Sequence, residues 1–141
     1  MEQRLTLITL GVDDLARMRA FYEEVFGWTP VEDDSDHIVF FQLNGIQLAL
    51  YGRRALAEDA RVDPEGSGFR SFTLAHNLRS EKAVDRQFDV FEANGVNIAK
   101  PPAKTFWGGY SGYIADPEDN LWEIAYNPYM AFDDAGNVVG S

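Results

Sequence analysis

Glu123 is the side chain whose type and setting most invite chemistry. It lies in the stretch Asp116-Pro117-Glu118-Asp119-Asn120-Leu121-Trp122-Glu123-Ile124-Ala125-Tyr126-Asn127-Pro128. The acidic, proline-containing start reads as a turn, and Leu121 to Tyr126 reads as the strand it feeds. Side chains alternate across a strand, so Trp122, Ile124 and Tyr126 share one face while Leu121, Glu123 and Ala125 share the other. A carboxylate set inward on such a face is costly unless it is paired, protonated, metal-bound or near water. Glu123 is therefore the candidate catalytic residue. Burial would raise its pKa toward general acid/base work near neutrality, whereas the alternative role is a hydrogen bond to Ser71, Thr73 or Gln47.

A second segment, Phe106-Trp107-Gly108-Gly109-Tyr110, sets aromatic rings around paired glycines. Such a loop can form a lip over an apolar pocket, with Trp107 and Tyr110 as contact surface. Lys100, Lys104, Arg53 and Arg54 are cations that could neutralise an acidic ligand or form surface pairs. Other catalytic patterns fail. Gly109-Tyr110-Ser111-Gly112-Tyr113 lacks the final glycine of a nucleophile elbow, Gly66-Ser67-Gly68 lacks the third glycine of a dinucleotide fingerprint, and Asp133-Asp134-Ala135-Gly136 lacks the ligand pattern of a calcium loop.

Composition sets the outer bounds. A chain of 141 residues with 45% hydrophobic content fits one domain, or two half-domains sharing a core. Twelve Lys plus Arg against 23 Asp plus Glu give a net charge of -11, which repels phosphate backbones and anionic membranes. Nucleic acid and membrane are thus not expected partners. No membrane-length apolar run and no leader pattern occur, so a soluble, cytoplasmic protein is expected. The chain has no cysteine, which excludes disulfides, thiolate nucleophiles and thiolate zinc sites. His37 and His76 are expected at strand ends or the surface.

The elements that must position Glu123 come in two similar sets. Leu5 to Val12 alternates as a strand, and Asp13 or Asp14 can cap a helix carrying Leu15, Met18, Phe21, Tyr22, Val25 and Phe26, ended by Gly27. A short strand is expected over Thr29 to Glu32, then a turn at Asp33-Asp34-Ser35-Asp36. Two strands, His37 to Leu43 and Ile46 to Tyr51, flank the hairpin signal Asn44-Gly45. After a polar connector with a helical turn near Ala55 to Ala60, Ser71-Phe72-Thr73-Leu74 repeats the pattern of Leu7-Ile8-Thr9-Leu10. Ser80 can cap a second helix with Val84, Phe88 and Phe91, ended by Asn94-Gly95. Strands follow near Asn97 to Lys100, Tyr110 to Ala115 and Leu121 to Tyr126.

The chain thus reads as an α+β fold of two βαβββ repeats, each a four-stranded sheet with a helix on one face. Repeat one covers about 4–52, the connector 53–69, repeat two about 70–128 and a tail 129–141. If the two mixed sheets curl into an open cup with helices outside, Leu7, Thr9, Ser71, Thr73 and Glu123 line it.

These residues resemble the vicinal oxygen chelate superfamily of glyoxalase I, bleomycin-resistance proteins and extradiol dioxygenases. The resemblance is carried by Thr9-Leu10-Gly11-Val12-Asp13-Asp14-Leu15 running into Ala20-Phe21-Tyr22 and Phe26-Gly27-Trp28, by Gly45-Ile46-Gln47-Leu48-Ala49-Leu50, and by Asp116-Pro117-Glu118-Asp119-Asn120-Leu121-Trp122-Glu123-Ile124. It implies a cup that takes a small organic molecule and a homodimer that completes the cups. In metal-using relatives four cup positions ligate a divalent ion, and these fall here at Leu7, Gln47, Ser71 and Glu123. Leucine cannot ligate and serine is a poor neutral ligand, so the family ion is not expected and no cofactor is assigned. The first expectation is metal-independent lyase or isomerase proton transfer at Glu123, with Thr9, Gln47, Ser71, Thr73, Trp107 and Tyr110 contacting ligand. The alternatives are a sequestering protein that binds without chemistry, for which the acidic charge suits a cationic ligand, and a metal-dependent glyoxalase or dioxygenase.

Overall fold

The computed structural model describes residues 1–32 and 35–140. It is an α+β structure of mixed, open sheets, and among the described residues no sheet closes into a barrel. The chain divides into two compact units, Met1–Ser67 and Gly68–Ser141.

In the first unit, β1 (Leu7–Val12) leads into α1 (Leu15–Glu24), then β2 (Ile38–Gln42), β3 (Gln47–Gly52) and α2 (Arg53–Ala60). Asp14 starts α1 by accepting from the Arg17 N–H at 3.1 Å. The helix buries Met18, Phe21 and Tyr22. The Tyr22 ring meets Phe26, Trp28 and Phe41 at centroid separations of 5.1, 5.7 and 5.9 Å, which makes an aromatic core. The strands lie in the order β1-β3-β2, with β1 parallel and β2 antiparallel to β3. Leu10, Val12, Val39, Phe41, Leu48 and Leu50 form the buried face. The opposite face carries Leu7, Thr9 and Gly11 on β1 against Gln47, Ala49 and Tyr51 on β3. A Cβ on Gly11 would stand 3.3 Å from the Arg53 Cα, so glycine there lets α2 approach β1.

Two expectations change in this unit. The sheet has three strands, and among the described residues Thr29 to Glu32 gives it the Val31 N–H, donated to the Phe40 carbonyl at 2.8 Å, and no ladder. Pro30 has no N–H to give a ladder. The helical turn expected in the connector is the full helix α2. Asp33 and Asp34 of the expected acidic turn lie outside the described residues, while the Ser35 hydroxyl accepts from the His37 N–H at 3.2 Å.

In the second unit, β4 (Leu74–Asn77) precedes α3 (Glu81–Ala93), and β5 (Asn97–Lys104), β6 (Tyr110–Ala115) and β7 (Leu121–Tyr126) follow. The four strands lie in the order β4-β7-β6-β5. Ser80 caps α3 by accepting from the Ala83 N–H at 3.0 Å, and Val84, Phe88 and Phe91 pack inward with Ile114, Trp122 and Ile124. Gly112 sits under this helix: a Cβ there would come within 2.6 Å of the Phe88 ring and 2.7 Å of the Lys100 carbonyl oxygen. Pro101 and Pro102 are tolerated in β5 because it is an edge strand, interrupted by irregular register. The tail forms a hairpin of β8 (Ala131–Phe132) and β9 (Val138–Gly140).

The strand expected at Ser71 to Leu74 begins instead at Leu74. Ser71 has φ 63, a left-handed conformation that ends an extended run. Just before it, the Arg70 guanidinium donates to the Glu118 carbonyl at 2.8 Å and to Asn120 Oδ1 at 3.1 Å, tying this approach to the turn before β7.

Candidate functional site

That turn fixes where Glu123 stands. Asp116, 2% exposed, accepts from the Glu118 and Asn120 N–H groups at 3.0 and 2.9 Å and from the Asn120 side-chain amide at 2.8 Å. The Asp116 N–H donates to the Asn120 carbonyl at 3.0 Å, closing the hairpin and setting the register of β6 against β7. Ala115 pairs with Leu121, so Tyr113 pairs with Glu123 and Ser111 with Ala125. Toward β4 the neighbour of Glu123 is Ala75, and across β6 the neighbour of Tyr113 on β5 is Lys100.

One face of the second unit's sheet therefore carries a row of Ala75, Glu123 and Tyr113, with Lys100 at the next register position. It is the face away from α3, whose contacts are made by Ile114, Trp122 and Ile124. Glu123 is half-buried and forms no hydrogen bond or ion pair among the described residues. Tyr113, also half-buried, has its phenol pKa raised by burial and, secondarily, by the charge of Glu123. A phenol so placed stays protonated and can donate. A carboxylate that can take a proton thus stands beside a hydroxyl that can give one, and Ala75 leaves space on the other flank.

The remaining candidates fall into separate groups. Tyr110 is on the opposite face of the sheet from Glu123: two residues along the strand from Gly112, it donates its hydroxyl to Asp85 Oδ1 on α3 at 2.6 Å. That hydrogen bond, with lesser burial and charge effects, pushes its pKa up to about 12. Trp107, 38% exposed, folds its ring over Gly109. Its loop is tied by Thr105, whose N–H donates to the Gly109 carbonyl at 2.9 Å and whose hydroxyl accepts from the Gly109 N–H at 2.9 Å. Thr73 precedes β4 and is exposed, and Ser71 is exposed and four residues before the register partner of Glu123.

In the first unit, Thr9 and Gln47 share the face away from α1 with Leu7. The Gln47 side-chain amide donates to Gln42 Oε1 at 2.9 Å. His76 pairs in register with Ile124 on the α3 side and is exposed. A depression of about 630 Å³ lined by residues including Arg19, Pro30, Val31 and Ile38 also lies in this unit, and it takes in none of the sequence-predicted site residues.

Tyr113 and Ala75 are the site members that sequence reasoning missed. The signal was available for Tyr113: a hairpin closed between Ala115 and Leu121 puts 113 opposite 123 by counting outward.

The donors at the four positions implied by the resemblance do not fit a divalent ion. Leu7 offers none, Ser71 offers an exposed neutral hydroxyl outside the strand, and Gln47 offers only a neutral amide oxygen, its NH2 group donating to Gln42. Glu123 is the one carboxylate. Among the described residues, no three His, Asp or Glu side chains gather as an ion site requires.

Comparison with known proteins agrees with this architecture. The family model described as Glyoxalase/Bleomycin resistance protein/Dioxygenase superfamily matches residues 4–124. A glyoxalase-related enzyme from Fulvimarina pelagi is 38% identical, with 99% of each chain covered and a TM-score of 0.89. A glyoxalase/bleomycin resistance protein/dioxygenase family enzyme from Burkholderia phytofirmans PsJN is 26% identical over 86% of this chain and 96% of that one, with a TM-score of 0.76. A lactoylglutathione lyase from Agrobacterium tumefaciens is 25% identical over 94% of this chain and all of its own, with a TM-score of 0.73. No curated protein matches. Among the described residues no helix is long and apolar enough to cross a membrane. With a family model spanning both units and a relative of this identity aligned from end to end, the chain belongs to the Glyoxalase/Bleomycin resistance protein/Dioxygenase superfamily.

Proposed function

We propose that this chain binds a small organic molecule against the Glu123 face and moves a proton on it, a lyase- or isomerase-type step in which Glu123 is the general base and then the acid. The observation that carries this reading is the half-buried Glu123 carboxylate, which has no partner of its own among the described residues. Among the described residues no buried side-chain oxygen lacks a hydrogen-bond partner, so the Glu123 oxygens are reachable from solvent and open to a ligand. A carboxylate left available suits proton transfer.

The donor set described above supports chemistry that needs no divalent ion. Superfamily membership supports a small-molecule ligand and pairing with a second copy. The test is solvent exchange: in heavy water, deuterium uptake into simple carbonyl compounds such as dihydroxyacetone is followed by NMR with and without chelator. Wild type promotes uptake that survives chelation, and Glu123→Gln abolishes it. Uptake lost on chelation and restored by a divalent ion favours a metal-dependent enzyme instead. A second reading, sequestration without chemistry, is favoured by the net charge of -11, which suits a cationic ligand. A bound cation recovered unchanged, with no exchange on any probe, would select it.

A further inference from the structure

We propose that Asn44–Gly45, at the tip of the β2–β3 hairpin, is a self-modification site where Asn44 loses its side-chain amide and becomes aspartate or isoaspartate. The same dipeptide at Asn94–Gly95 is held unreactive by the end of α3. This modification is separate from the proposed function and does not depend on it.

The reaction needs no enzyme. The backbone nitrogen that follows an asparagine attacks the side-chain carbonyl carbon, and glycine admits the attack because it has no Cβ beside the attacking atom and its backbone turns freely. The new bond joins the glycine nitrogen to the asparagine Cγ. The amide nitrogen leaves Cγ as ammonia, carrying the proton that the glycine nitrogen gives up, and a five-membered imide remains. Water then opens the imide at either carbonyl, giving aspartate or the isomer whose main chain runs through the side-chain carbon. One water enters and one ammonia leaves, and nothing is oxidised or reduced.

Both dipeptides are exposed, so access to water does not separate them. Backbone hydrogen bonding does. Asn94 caps the C-terminal end of α3, and its N–H donates to the Val90 and Phe91 carbonyls at 3.1 and 3.2 Å. Its side-chain amide donates to the Val90 carbonyl at 2.8 Å, which turns it back along the helix, away from Gly95. The Gly95 N–H, the attacking group, is given to the Glu92 carbonyl at 3.1 Å, and the Val96 N–H returns to the Phe91 carbonyl at 3.0 Å. Closing the imide ring requires rotation between Asn94 and Gly95, and that rotation breaks the bonds that end the helix. At the hairpin tip the closing bond runs from the Leu43 N–H to the Ile46 carbonyl at 2.9 Å and does not use the Gly45 nitrogen. Gly45 has φ 80, and a Cβ there would meet nothing within 4 Å, so the turn has room to rotate. The product adds a negative charge beside Leu43, whose carbonyl accepts from the Gln42 side-chain amide at 2.9 Å, and the isoaspartate form lengthens the loop by one backbone atom.

The test is peptide mapping by mass spectrometry of the full chain kept in mildly alkaline buffer, with and without denaturant. In the folded chain the Asn44 peptide gains the mass of an amide-to-acid change and separates into aspartate and isoaspartate forms. The Asn94 peptide lags by at least about tenfold, because several hydrogen bonds must break before it reacts. In denaturant the two react within about threefold of each other, since the fold no longer distinguishes them. Asn44→Gln, which moves the amide one carbon further from the attacking nitrogen, abolishes the change in that peptide. Equal rates at the two positions in the folded chain overturn the proposal. So does an Asn44 peptide that stays unmodified in the folded chain, whether or not the denatured chain reacts.

Discussion

Tyr113 stands directly across the β6–β7 ladder from Glu123, and the distance between them is set by Asp116, seven residues before the glutamate. The buried aspartate fixes the turn, the turn fixes the register, and the register sets acid beside phenol. Removing the Asp116 carboxylate leaves three donors without their acceptor. Asp116→Ala should therefore cost about 3 kcal/mol in urea unfolding, the scale of breaking buried hydrogen bonds to a charged group. A loss under about 1 kcal/mol would show that water replaces the carboxylate freely.

Asp119 follows in the same turn with φ 65, a conformation glycine adopts more readily. Asp119→Gly should raise unfolding free energy by roughly 0.5 kcal/mol, net of the extra entropy glycine has in the unfolded chain. Destabilisation instead would mean that its side chain, not its backbone, matters there.

Glu123→Gln should leave stability within about 1 kcal/mol of wild type, because the carboxylate makes no internal bond to lose. Chemical denaturation reads this directly. A cost above about 2 kcal/mol would mark Glu123 as structural and sink its catalytic reading.

Gly112→Ala should be severely destabilising, by about 3 kcal/mol, since two of the atoms it meets, the Lys100 oxygen and the Pro102 nitrogen at 2.7 and 2.8 Å, belong to backbone. Only the Phe88 ring can move aside. A thermal midpoint near wild type would mean that β5 shifts easily.

The Tyr110–Asp85 bond has a pH signature. The folded chain holds the phenol pKa up to about 12, above the ordinary 10.0, so the neutral form is favoured on folding. Its stabilising contribution is complete below about pH 10 and is lost as pH rises toward 12. Phenolate absorbance in Asp85→Asn should shift one tyrosine's titration back down, since the hydrogen bond to the carboxylate is the largest cause. No change in any tyrosine would show that the bond does not form in solution.

Local signals in the sequence account for much of this fold and for part of the site. Asp14 and Ser80 cap where short polar residues precede apolar helical stripes, and Asn44-Gly45 marks the β2–β3 loop, in which Gly45 has φ 80. What misled was non-local. Thr29 to Glu32 has strand-like residues, yet Pro30 has no N–H to give, and among the described residues the segment forms no ladder beyond the Val31 N–H on the Phe40 carbonyl. Ser71 matches Leu7 in pattern, but its left-handed backbone delays β4 by three residues, and no composition signal announces that. Tyr110 draws attention in the sequence because aromatic rings near paired glycines resemble a pocket rim, whereas nothing local marks Tyr113. Only hairpin register, counted from a known turn, separates the two faces.

The prolines of β5 have an effect on how this protein behaves in a crowd of its own copies. Pro101 and Pro102 lack N–H groups, so the strand at one border of the second sheet offers an incomplete ladder to any incoming chain. Lateral growth at that border is disfavoured, because the missing donors are a matter of covalent structure and not of conditions.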